Sequence, residues 1–161
     1  MKRLFIIRHA KAENQYNNCS DIERTLVEEG IKRTQGIINY IKVKDLQIDC
    51  IVSSHAVRAY ETSKIIANGL DYSINVIEID KIIYGCHHSY LVDKVHNFSD
   101  NFENVLIVGH NPVITYLVNF FLSEEIDFLP TSGLVILNFD ENSWKNVDYT
   151  DDFQLVFPDK L

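Results

Sequence analysis

Four short apolar runs rich in β-branched residues constrain this chain most: Leu4–Ile7, Ile48–Val52, Ile74–Ile79 and Val105–Val108. Each has the length and composition of a buried strand. Runs that stay apolar, instead of alternating with polar residues, suit a sheet covered on both faces. The segments between them repeat apolar residues at helical spacing. A T-x-x-E capping box at Thr25 and Glu28 predicts a helix start, with Leu26, Ile37, Ile38 and Ile41 on its inner face. A second helix is expected over Ala56–Asn68 with Gly69 just beyond its end. A third is expected from about Ser89, carrying Leu91, Val92 and Val95. Asn111-Pro112 reads as N-cap and first residue of a fourth, continuing through Ile114, Leu117, Val118 and Phe121. The tail reads as a hairpin: Leu134–Phe139, a turn at Asp140–Ser143, and a strand at Lys145–Tyr149. The expected fold is α/β, a mostly parallel sheet flanked by helices on both faces with an antiparallel C-terminal hairpin.

Strands of this kind put chemistry at their carboxyl ends, and three of the four deliver it there. Leu4–Ile7 runs into Arg8-His9. Ile51-Val52 runs into Ser53-Ser54-His55-Ala56-Val57-Arg58. Leu106-Ile107-Val108 runs into Gly109-His110-Asn111-Pro112. If the three strands are parallel, Arg8, His9, Arg58 and His110 share one small volume. Arginine's planar fork matches phosphate oxygens bidentately and keeps its charge. A helix opening at Asn111-Pro112 would add N–H groups that favour an anion. A neutral imidazole is a competent nucleophile toward phosphorus when its other nitrogen is fixed by an acceptor. A second imidazole can neutralise charge that spreads over the equatorial oxygens. Charged groups on exposed turns would be the bland alternative, but four converging ones in an acidic chain call for an anion.

The whole composition fits one soluble domain over residues 1–161: 46% of residues are hydrophobic and 24% charged. The formal net charge of −8 argues against a nucleic-acid partner. Glu28-Glu29 and Glu124-Glu125 read as solvated faces. The apolar run after Met1-Lys2-Arg3 is interrupted by Arg8 and His9, too short for a signal sequence or a membrane span. Cys19, Cys50 and Cys86 lack metal-ligand spacing, so reduced thiols and a cytoplasmic location are expected. His87-His88 reads as a solvated loop, with His87 a minor option for the pocket border. His96 reads as structural, and Ser53 or Ser54 as an N-cap. No Gly-rich nucleotide loop and no metal cluster is evident, so no cofactor and no metal are expected.

The stretch LFIIRHAKAE at Leu4–Glu13 resembles the N-terminal signature of the histidine phosphatase, or phosphoglycerate mutase-like, superfamily. SSHAVRAYET at Ser53–Thr62 resembles its second motif, VGHNP at Val108–Pro112 its third, and TSGLVILNF at Thr131–Phe139 its C-terminal strand. RHA in place of RHG, the segment DIERTLVEEG at Asp21–Gly30 and the short length are similar to the SixA-like branch of phosphohistidine phosphatases. The resemblance implies a phosphoglycerate mutase-like fold and roles residue by residue. His9 would be phosphorylated, Arg8 and Arg58 would clamp phosphoryl oxygens, and His110 would complete the pocket. Asn111 and Arg24 would assist binding; Arg24 could equally pair with Asp21 or Glu28. Larger members carry a glutamate general acid where Tyr84 falls here, with Asp80 and Glu78 the nearest carboxylates. The expected substrate is phosphohistidine on a partner protein. A small-molecule or phosphoserine phosphatase on the same site, or a weak phosphoprotein-binding module, are the alternatives.

Overall fold

The computed structural model describes residues 1–15 and 19–158. Six strands form one sheet in the order β3-β2-β4-β1-β5-β6. They are β1 (Lys2–Arg8), β2 (Cys50–Ser54), β3 (Ile77–Asp80), β4 (Asn104–Gly109), β5 (Leu134–Phe139) and β6 (Phe153–Val156). β1 to β4 are mutually parallel where they pair. β5 runs antiparallel to β1, and β6 antiparallel to β5. The helices are α1 (Glu28–Val43), α2 (Val57–Gly69), α3 (His88–His96) and α4 (Val113–Phe121).

β1 shows why its run is apolar throughout. Phe5 and Ile7 pack with Ile37, Ile38 and Ile41 of α1 and with Ala59, Ile66 and Ala67 of α2. Leu4 and Ile6 point the other way, toward Leu91 and Val95 of α3 and Ile114, Leu117 and Phe121 of α4. All four β1 side chains are fully buried, each stabilising the fold by about 1.5–3 kcal/mol. Among the described residues, no helix is long and apolar enough to cross a membrane.

Several expected boundaries move, each for a local reason. α1 starts at Glu28 and not at Thr25, because residues 25–27 are held extended. Glu13 N–H donates to Thr25 O, Val27 N–H to Lys11 O, and Leu26 N–H to the Glu61 carboxylate. Gly30 seats the first turn of α1 against that segment: a Cβ there would lie 2.3 Å from Lys11 O. Gly69 ends α2 from inside the helix, where a Cβ would meet the Ile38 side chain of α1. Ile74–Val76 forms a 3₁₀ turn, leaving a short β3 at the sheet edge with Ile79 exposed. α4 begins at Val113, since Asn111 spends its side chain elsewhere.

The tail differs most. Lys145–Tyr149 is not a strand. Trp144–Asn146 is a 3₁₀ turn whose Trp144 ring is fully buried, its indole donating to Phe102 O and its backbone N–H to Asp100. That anchor turns the chain under α3, and the antiparallel partner of β5 is supplied later, by β6.

Candidate active site

The parallel pairing of β1, β4 and β2 in adjacent positions delivers the three loaded turns to one edge of the sheet. His9 follows β1 and its backbone is tied on both sides. Its N–H donates to Gly109 O at 3.0 Å, and the N–H of Ser132 reaches the carbonyls of Arg8 and His9 at 3.1 and 3.3 Å. Ser132 makes that reach from a left-handed conformation, φ 57°, which costs a non-glycine residue and is held by its surroundings. Its buried hydroxyl lies 3.2 Å from that of Thr34 on α1.

The His9 ring has one readable tautomer. Nε2 faces the Nε–H of Arg58 at 3.2 Å, a group that can only donate, so Nε2 carries a lone pair. Nδ1 therefore holds the proton and donates to the Ala10 carbonyl at 2.8 Å. Ala10 N–H donates in turn to Thr62 Oγ1, which donates to the carbonyl of Arg58. The ring is buried. That burial, with the Arg58, Arg8 and Arg24 charges nearby, lowers its pKa to about 4 despite the Ala10 hydrogen bond. At neutral pH His9 is an uncharged imidazole with its nucleophilic nitrogen beside a guanidinium.

His110 lies 5.0 Å from His9, centroid to centroid. Its Nε2 is 2.7 Å from Ser54 Oγ at the end of β2, and its buried Nδ1 has no protein partner. Burial first, then the neighbouring His9 and Arg58, lowers its pKa to about 3. Arg8 donates from one terminal nitrogen to Leu129 O, while its buried Nε is likewise unpartnered. Burial and Arg58 draw its pKa down from the ordinary arginine value. Arg58 is buried at the first turn of α2. Two imidazoles and two guanidinium groups thus meet at one end of the sheet.

The remaining expected residues divide. Arg24 pairs with Asp21 through Nε and Nη2, both at 2.9 Å, and donates from Nη1 to Glu13 O. Asn111 has protein partners at both ends of its amide, Leu129 O and Thr115 Oγ1, and so ties α4 to the loop that Arg8 also touches. Asp80 accepts from Ile82 N, Tyr90 Oη and Lys94 Nζ. Burial opposes its ionisation, yet the Tyr90 and Lys94 contacts hold its pKa below the ordinary value. Glu78 also pairs with Lys94. These carboxylates are committed to the β3–α3 junction. His87 caps α3 through Ser89 N, and His96 bonds to the Val147 carbonyl. Ser54 faces His110, while Ala56 takes the N-cap place of α2. Among the described residues, no group of three or more His, Cys, Asp or Glu is placed to hold a metal ion.

Asp21 is the site residue that sequence reasoning missed. It opens a 3₁₀ turn, Asp21–Glu23, capped reciprocally by Ser20 and Glu23. Its Oδ2 accepts from Arg58 Nη2 at 2.9 Å and from Tyr84 Oη at 2.7 Å, and its main-chain oxygen accepts from Arg58 Nη1. The Tyr84 hydrogen bond, followed by Arg58 and Arg24 against a burial cost, lowers its pKa to about 2. Tyr84 stands edge-on to both His110 and His55, at 5.5 and 5.7 Å. The sequence signals for Asp21 are its place at the head of DIERTLVEEG and its spacing three residues before Arg24.

The sequence profile of the histidine phosphatase superfamily (branch 1) matches residues 4–83, a span containing Arg8, His9 and Arg58. An uncharacterised protein of Mycobacterium tuberculosis, Rv1276c, is 25% identical over 152 residues, covering 88% of this chain and 92% of its own. The structure of the protein histidine phosphatase SixA complexed with tungstate superposes with a TM-score of 0.78 at 22% identity, covering 98% of both chains. A SixA structure from Agrobacterium tumefaciens gives the same TM-score at 24% identity, covering 85% of this chain and 91% of its own. At these identities the two structures speak for a shared fold.

Proposed function

The chain belongs to the histidine phosphatase superfamily, and from that premise we propose that it removes phosphate from phosphohistidine on a partner protein through a covalent intermediate on His9. The observation that carries this reading is the neutral His9 ring, its Nδ1 proton spent on Ala10 and its Nε2 lone pair beside Arg58. Nε2 would attack phosphorus, forming an N–P bond as the bond from phosphorus to the substrate nitrogen breaks. Arg8 and Arg58 would hold the equatorial oxygens, and His110 would meet the charge that spreads over them. Water would then attack the phosphorus of phospho-His9, releasing orthophosphate and restoring the neutral ring.

The leaving group follows from what surrounds the site. An alkoxide needs a proton in the transition state, and positioned acids typically supply about 10²–10⁴-fold. Asp21, the carboxylate beside Arg58, is ionised at neutral pH, and Asp80 and Glu78 are engaged with Lys94. A phosphorylated imidazole can take its proton from solvent and leave as neutral imidazole. Phosphoramidate therefore suits this site better than phosphoserine or a sugar phosphate. The SixA structures share this fold, which supports a phosphorylated protein as substrate. Cys19, Cys50 and Cys86 are unpaired, which suits the reducing cytoplasm.

A substrate panel tests the reading, comparing a phosphohistidine protein with phosphoserine and phosphotyrosine peptides and sugar phosphates. Phosphohistidine should turn over fastest, acid-labile phosphate should be trapped on His9, and His9→Ala should abolish turnover. Faster hydrolysis of alkyl phosphates, or turnover that survives His9→Ala, rejects it.

A further inference from the structure

A guanidinium that clamps a phosphoryl group turns its terminal nitrogens on the oxygens, and in this structure both terminal nitrogens of Arg58 already donate to Asp21. Nε is given to His9, Nη1 to the main-chain oxygen of Asp21, and Nη2 to the Asp21 carboxylate. The same carboxylate accepts from Arg24 through its other oxygen and from Tyr84. Two arginines and a tyrosine thus grip one anion beside the nucleophile, and that anion belongs to the protein.

We infer that Asp21 is a resident counter-anion of the phosphoryl pocket, which an incoming oxyanion must displace from Arg58. The inference rests on the phosphatase reading and adds to it a selectivity between bound and free phosphate. The pieces are built for exchange. The Arg58 side chain is 5% exposed and fixed, while that of Asp21 is 35% exposed and rides on a single 3₁₀ turn at the rim. With its pKa near 2 the carboxylate stays charged across the physiological range, so the competition does not switch off with pH. Its consequence is weak affinity for free orthophosphate, the product that every phosphatase faces in the cell. A phosphoryl group presented by a docked partner recovers the lost binding through contacts elsewhere on that partner, which orthophosphate lacks.

Calorimetry with orthophosphate and with tungstate on the full chain tests this, using the parent, Asp21→Asn and Tyr84→Phe. Removing the charge should tighten orthophosphate binding about tenfold, the scale of one charge-assisted hydrogen bond. Tyr84→Phe, which loosens the carboxylate without removing it, should tighten binding less and in the same direction. A variant damaged in folding would bind more weakly, so the sign separates competition from structural harm. If Asp21→Asn fails to fold, Tyr84→Phe decides. Unchanged or weaker binding in the folded variants, or no oxyanion binding in any of them, overturns the inference. The phosphatase reading is judged apart from it, by the dependence of turnover on His9.

Discussion

Arg58 reaches His9 through Nε, the one guanidinium nitrogen that carries a single hydrogen, at 3.2 Å from Nε2. The contact makes Nε2 an acceptor and so fixes the nucleophilic tautomer, while leaving the fork of the same side chain pointed past the ring. On the proposed mechanism, one residue would thereby orient the nucleophile and offer charge to the group it attacks.

Arg58→Lys separates those two tasks. The substitution keeps a positive charge and loses both the Nε contact and the planar fork. It should lower kcat/KM by about 10²-fold or more, on the scale of removing one preorganised transition-state donor. Steady-state kinetics on a phosphohistidine protein check this. A loss of only a few-fold would mean that charge alone is what Arg58 supplies.

Asp80→Asn makes the opposite case. Asp80 is buried and bonded to Ile82 N, Tyr90 and Lys94, with no hydrogen bond to His9 or His110 among the described residues. The substitution should cost about 1–3 kcal/mol of stability, the penalty for breaking a buried polar set, and leave turnover close to the parent's. Urea unfolding and kcat measured on the same preparation provide the check. Normal stability with a large drop in kcat would return Asp80 to consideration as a proton donor.

Acid should weaken the fold through the two histidines. In the unfolded chain each binds a proton below about pH 6.5, whereas the folded protein withholds it until about pH 4 at His9 and about pH 3 at His110. Between those limits the unfolded state holds more protons, so stability falls as pH falls. Asp21, with its pKa lowered to about 2, loses its contribution only below the ordinary carboxylate range and does not mask the effect. Melting temperature followed from pH 7.5 to 4.5 should drop, and drop less in His110→Asn. A flat profile in the parent would contradict the burial of both rings.

The sheet and the four central side chains were legible because both follow from local pattern. Phe5 and Ile7 alternate with Leu4 and Ile6 across a strand covered on two faces, and that burial is what made the run apolar. Arg8, His9, Arg58 and His110 sit within a few residues of a strand's end, so strand direction alone carries them together. What escaped depended on distant partners. Thr25 and Glu28 spell a capping box, but the extended pairing of residues 25–27 with 11–13 forestalls it. The polar stretch after Lys145 looked like an edge strand because nothing near it announces that Trp144 is fully buried beneath α3. Asp21 joins Arg58 and Tyr84 across 37 and 63 residues of chain, and no spacing rule reaches that far.

Gly109, at the end of β4, and Ser132, in the turn before β5, fasten the backbone of His9, and β1 itself lies between β4 and β5. Asp21 and Arg24 belong instead to one short turn at the margin. An oxyanion displacing Asp21 as proposed would therefore place the work of reorganisation on the margin and leave the His9 ring as it is aimed. A catalyst arranged this way can accommodate bulky, varied partners at its rim without loosening the aim of its nucleophile.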